Sequence, residues 1–170
     1  MKLIYSAATC SVLCFALAPA LARADATANE GFATLKSLAG KWARAGADGK
    51  PMPGVVSVFR VTSAGSAIEE TMLPGTGEEM VNLYTMDGAD LAMTHYCAVG
   101  NQPHLKARPV KGAKTFDFLF ASCGNLASPK AMHMHQMSMT LLDKDHLKVD
   151  WTSSMNGKLT QPETFSLVRK

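Results

Sequence analysis

Thr115-Phe116-Asp117-Phe118-Leu119-Phe120 alternates phenyl rings with other side chains at the two-residue period of a β-strand. Three aromatic rings therefore share one packed face, while Asp117 and Leu119 point the other way. Outward from this stretch, short β-prone runs are separated by turn signals: Gly46-Ala-Asp-Gly49, Ser63-Ala-Gly-Ser66, Asp87-Gly-Ala-Asp90 and Asn156-Gly157. That spacing suits an antiparallel meander in which hairpins join sequence neighbours. The expected strands are 41–45, 55–62, 67–73, 80–86, 91–97, 104–109, 115–120, 131–142, 147–154 and 159–168. About ten strands curl on themselves more readily than they lie flat, because closure removes both exposed edges. The expected fold class is all-β, an antiparallel meander closing into a barrel, preceded by one short helix over 29–37. Phe32, Leu35 and Leu38 share a side of that helix, and Gly40 ends it.

The first 24 residues have the pattern of an export signal. Lys2 supplies the positive end, an apolar run extends from Leu3 to Ala22, and Ala22-Arg23-Ala24 is a small-x-small cleavage pattern. Residues 25–170 are then expected to be one β-barrel domain, periplasmic or secreted, without stable membrane insertion after cleavage. Thr9 and Leu13 precede Cys10 and Cys14, where a lipoprotein acceptor needs a small residue. Loss of Lys2 and Arg23 leaves 15 basic side chains against 14 acidic ones. So even a balance, scattered along the chain, gives no electrostatic footprint for nucleic acid.

Two stretches carry candidate chemistry. Met93-Thr94-His95-Tyr96-Cys97 sets His95 and Cys97 on one face of a strand, and Met132-His133-Met134-His135-Gln136-Met137 does the same for His133 and His135. If the two strands are neighbours, His95, Cys97, His133 and His135 form a zinc- or copper-type ligand set. Met137 and Met139 continue the His133/His135 face, which suits soft Cu(I), while Met132 and Met134 lie opposite; flexible core filling is the competing role for these methionines. A second reading is a small-molecule pocket in the barrel interior or mouth, with His95, Tyr96, Asn101, Gln102, His133 and His135 as polar contacts. The expected loops 98–104 and 121–130 flank it. A third reading is an enzyme with Cys97 as nucleophile beside His133 or His135, for which no orienting carboxylate stands out. Glu69-Glu70 and Glu78-Glu79 are adjacent pairs whose carboxylates face opposite ways in a strand, which suits solvated charges. Cys97 and Cys123 are either free thiols or a bridge; a bridge would be worth roughly 3 kcal/mol by chain entropy.

Leu38-Ala39-Gly40-Lys41-Trp42 resembles the Gly-x-Trp opening of lipocalin-like (calycin) barrels, and Phe165-Ser-Leu-Val-Arg169 is similar to their last strand. The resemblance implies that Arg169 lies over Trp42 as a cation–π closure. Thr94-His95-Tyr96-Cys97-Ala98-Val99-Gly100-Asn101-Gln102-Pro103, with His133-Met134-His135, looks like the signature of an uncharacterised family of exported bacterial proteins. Nitrobindin-like haem barrels are more distant in likeness, since Lys41-Trp42-Ala43-Arg44-Ala45 lacks their glycine-rich first hairpin.

Overall fold

A computed structural model describes the backbone from Ala18 to Lys170 and the side chains from Ala26 onward. Residues 1–17, most of the expected leader with Cys10 and Cys14, lie outside the described residues. Helix α1 (Ala18–Lys36) starts earlier than the sequence pattern suggested and runs through the expected cleavage site. Among the described residues no helix is long and apolar enough to cross a membrane.

Eleven strands follow: β1 (Gly40–Arg44), β2 (Ser57–Thr62), β3 (Ala67–Met72), β4 (Met80–Asp87), β5 (Asp90–Tyr96), β6 (Gln102–Ala107), β7 (Thr115–Gly124), β8 (His133–Leu141), β9 (His146–Met155), β10 (Lys158–Leu159) and β11 (Glu163–Arg169). Each pairs antiparallel with its sequence neighbour from β1 to β9, and β11 returns between β9 and β1. The ring is therefore closed, a lipocalin-like barrel of ten strands with β10 as a stub. β10 and β11 lie along the same edge of β9, at Ser154–Met155 and at His146–Trp151. They are the expected strand 159–168, broken at Gln161-Pro162, where proline has no N–H to donate to the ladder.

The alternation read in β7 holds: Phe116 and Phe118 are buried, and Thr115, Asp117 and Leu119 are exposed. Inward residues of the other strands complete the core, among them Phe59, Ile68, Tyr84, Leu91, Met93, Leu105, Met137, Met139 and Leu147. Met137 and Met139 are thus core filling. Helix α1 and the turn after it close one end of the barrel with Phe32, Leu35 and Leu38. The helix lies close enough that a Cβ on Gly31 would come within 2.8 Å of Pro109 Cβ, so glycine sets the approach distance there.

The chain leaves the helix through Gly40, whose φ of +135° disfavours any other residue. Trp42 then turns its indole N–H back to the Leu38 carbonyl at 2.8 Å. The Arg169 guanidinium sits 4.4 Å over the Trp42 ring and donates to the carbonyls of Ser37, Ala39 and Lys144. One side chain thereby caps the helix exit and joins the last strand to the first. Arg169→Ala is expected to cost about 2 kcal/mol, from the stacked cation and its charge-assisted hydrogen bonds together. Arg169→Lys should recover little, because an ammonium cannot span three carbonyls in a plane. Urea unfolding of the two variants checks this.

Candidate functional site

The end of the barrel opposite α1 is where β5 finishes and β6 and β8 begin. Its interior holds a polar row that follows directly from strand register. Glu70 in β3 faces Asn82 in β4, and Asn82 faces His95 in β5. All three point inward and are buried. The Glu70 carboxyl accepts hydrogen bonds from Ser57 Oγ (2.8 Å), Asn82 Nδ2 (2.7 Å) and Tyr84 OH (2.6 Å). With its NH2 held by Glu70, Asn82 can offer only Oδ1 to His95 Nδ1, at 2.7 Å. His95 must then carry its proton on Nδ1, leaving Nε2 as a bare lone pair. That Nε2 is buried with no partner, beside the Trp151 ring at 5.1 Å between centroids.

Electrostatics follow burial. The Glu70 carboxyl is pushed up by desolvation, against the pull of its three donors, and Tyr84 is pushed well above its ordinary value by burial and by the adjacent carboxyl. Desolvation lowers the His95 imidazole to about 4, so it is neutral at physiological pH. Glu70 is therefore no solvated edge charge. Glu69 is the surface member of that pair, bound to Arg60 at 2.9 Å.

Nearer the rim, a register shift between Met134 and Gln136 makes His135 an extra residue against β9. The bulge does not part the two imidazoles: His133 Nε2 lies 3.2 Å from His135 Nδ1. His133 Nδ1 is 2.9 Å from the Ala131 carbonyl. Phe120 stacks on the His135 ring, 4.7 Å between centroids and 10° between planes. These side chains, with Leu126, Ser128, Pro129, Ser154 and Gly157, line an open pocket of about 460 Å³. His135 is half-buried, and burial together with the neighbouring His133 ring lowers its pKa.

The expected site residues divide into groups. His95 is in the interior row; His133 and His135 form the rim pair. Asn101 is buried and donates from Nδ2 to the Met132 carbonyl at 2.7 Å, tying the β5–β6 turn to the start of β8. Gln102 is committed to the Gly100 carbonyl, and Tyr96 is exposed. β5 ends at Tyr96, so Cys97 opens a turn rather than continuing the His95 face; its N–H bonds to the Asn101 carbonyl at 3.2 Å. The expected loop at 98–104 is correspondingly shorter, because β6 starts at Gln102. Likewise β7 runs on through Ala121–Gly124, which shortens the loop expected at 121–130.

Cys97 and Cys123 are free thiols in this structure, and burial raises the Cys123 thiol. The four-residue ligand set His95, Cys97, His133 and His135 is not gathered: among the described residues no three His, Cys, Asp or Glu side chains are arranged to hold one metal ion. Within that set both nitrogens of His133 are engaged, which leaves Nε2 of His135 and the buried Nε2 of His95 as its imidazole atoms without a hydrogen bond. Sequence reasoning missed Glu70, Asn82, Tyr84 and Ser57. The missing signal was register, since Glu70, Asn82 and His95 become one row only once three strands are aligned.

Two other hollows bear on the choice of site. A cavity beside Ser57, Glu70 and Trp151 measures about 10 Å³, room for one water at most. A larger groove of about 760 Å³ crosses the outer face of β7, β8, β9 and β11. Most of its polar groups pair with one another: Ser138 donates to Asp117, and Lys148 and Thr164 both bind Asp150. The rim pocket is smaller but has converging polar groups with unused bonding capacity, which is what orients a small ligand.

The fold is that of a calycin-like barrel, plugged by a helix at one end and carrying an imidazole pair at the other. No protein-family model and no curated protein matches the chain.

Proposed function

We propose that this is an exported small-ligand-binding protein that holds its ligand at the open mouth of the barrel, against the His133–His135 pair. The single observation that carries the reading is the rim pocket of about 460 Å³, with two hydrogen-bonded imidazoles and a stacked phenyl ring in its wall. A volume of that order suits one small molecule, and a mostly apolar wall with few polar groups is the usual composition of such sites. The partner is a small molecule rather than nucleic acid, because the charge balance offers no basic face. The leader pattern at 1–24 supports a periplasmic or secreted address, and the runs 94–103 and 133–135 support kinship with the exported bacterial family they resemble. A zinc or copper ion is the competing occupant.

Native mass spectrometry of protein exported by its own leader, compared with Ser128→Trp, tests this. Ser128 is an exposed loop residue lining the pocket, so an indole there fills the hollow without disturbing the core. The expected result is an additional mass of a few hundred daltons on the wild type that is lost from the variant. Stoichiometric zinc or copper instead of an organic mass would move the assignment to the metal. An organic mass retained by Ser128→Trp would place the ligand elsewhere.

A further inference from the structure

The hydrogen-bond pattern at the rim fixes where the protons are. A backbone carbonyl can only accept, so His133 must present N–H from Nδ1 to Ala131. In the neutral ring, Nε2 of His133 is then a lone pair, and the His135 Nδ1 at 3.2 Å must be the donor to it. That leaves Nε2 of His135 bare, on a half-buried ring that lines the pocket. Ser128 and Ser154 hydroxyls serve in either role and impose no preference. With the other ring nitrogens of the pair engaged, the imidazole capacity left to the pocket is the hydrogen-bond acceptor at His135 Nε2.

Resting on the mouth-pocket reading, we infer that the site selects flat, mostly apolar molecules bearing an O–H or N–H donor, the chemical class of phenols, and discriminates against isosteres lacking the donor. Preference for a flat aromatic body comes from Phe120, His133 and His135, which gather three rings in the pocket wall for a ligand ring to pack against, edge-to-face or offset. The apolar body is accommodated by Leu126 and Pro129. Donor selectivity comes from His135 Nε2: a ligand without O–H or N–H would cover that lone pair and leave it without water or partner, which disfavours the complex. Ala131 and His133 act as positioning groups, since their hydrogen bonds hold the tautomer that exposes the acceptor.

The test uses phenol and toluene, close in size and differing by the donor, titrated at pH 8 against the full chain by calorimetry and by ring-nitrogen NMR. Phenol is expected to bind about tenfold more tightly than toluene, although toluene is the more apolar. The NMR signal of His135 Nε2 should begin as an unprotonated nitrogen and shift on phenol addition, while His104 and His146 stay in place. In His135→Phe, which keeps the ring stack, the preference for phenol should disappear. Equal or tighter binding of toluene by the wild type overturns donor selectivity and leaves the pocket reading standing. Absence of binding by both probes counts against the pocket itself. A His135 ring protonated on Nε2 overturns the tautomer assignment directly.

Discussion

Asn82→Ala is expected to lower stability by about 3–5 kcal/mol, more than any other substitution proposed for this barrel. Asn82 is wholly buried and is the link between Glu70 and His95. Truncation removes a donor from a buried carboxyl and the acceptor of a buried imidazole, and leaves a void, so the cost is that of two unsatisfied polar groups plus a cavity. Glu70→Gln is the informative contrast. The glutamine carbonyl can still accept from Asn82 and Tyr84, and its NH2 can donate to Ser57 once that hydroxyl rotates, so all three hydrogen bonds survive. Burial already disfavours the charged form of Glu70, so this variant should be near neutral or slightly stabilised at pH 7. Urea midpoints at constant m-value separate the two outcomes. Equal, small losses in both would mean that the row contributes little.

Acid should destabilise the protein through His95 in a defined window. The free imidazole titrates near 6.5 and the folded one at about 4, so between these values the unfolded chain binds a proton that the native state refuses. The stabilisation is fully present above pH 6.5 and is lost progressively as the pH falls to about 4, some ~3 kcal/mol in all. Glu70 slopes the other way: its folded carboxyl is raised, so its contribution is complete below 4.5 and fades as the pH rises through the folded value. His135, lowered and half-buried, adds a smaller contribution of the same sign as His95. Comparison with His95→Gln, which keeps a donor toward Asn82, cancels both. The gap between the two stability profiles should change by about 3 kcal/mol from pH 6.5 to 4, the wild type losing more. Parallel profiles would show that His95 is not neutralised by burial.

Much of the architecture was legible because β-strands write their faces into the sequence. Phe116, Phe118 and Phe120 give one face of β7 by inspection, and the turn residues at 63–66, 87–90 and 156–157 mark hairpins that form. The strand at 159–168 was recognisable as a unit, but its break required noticing Pro162. Cys97 was misplaced by a single residue, since strand ends depend on where the turn's hydrogen bonds close, between Cys97 and Asn101 in this barrel. The rim pair His133 and His135 was legible from spacing, although the bulge that seats His135 was not. The interior row was illegible for a different reason. Alternation within β3 puts Glu70 on the inward face of Ile68, with Glu69 opposite, but its partners Asn82 and His95 are supplied only by the β3–β4–β5 register.

Chemical-shift mapping of the mouth is the most direct test of ligand binding at the imidazole pair. Backbone and imidazole signals are recorded while a concentrated small-molecule extract of the source cell is added, and the responding fraction is then narrowed to one compound. Binding at the mouth predicts shifts confined to Phe120, Leu126, Ser128, His133, His135 and Ser154, with Leu119, Lys148 and Thr164 on the outer groove unmoved. Shifts centred on that outer groove, with the imidazole pair silent, would contradict it.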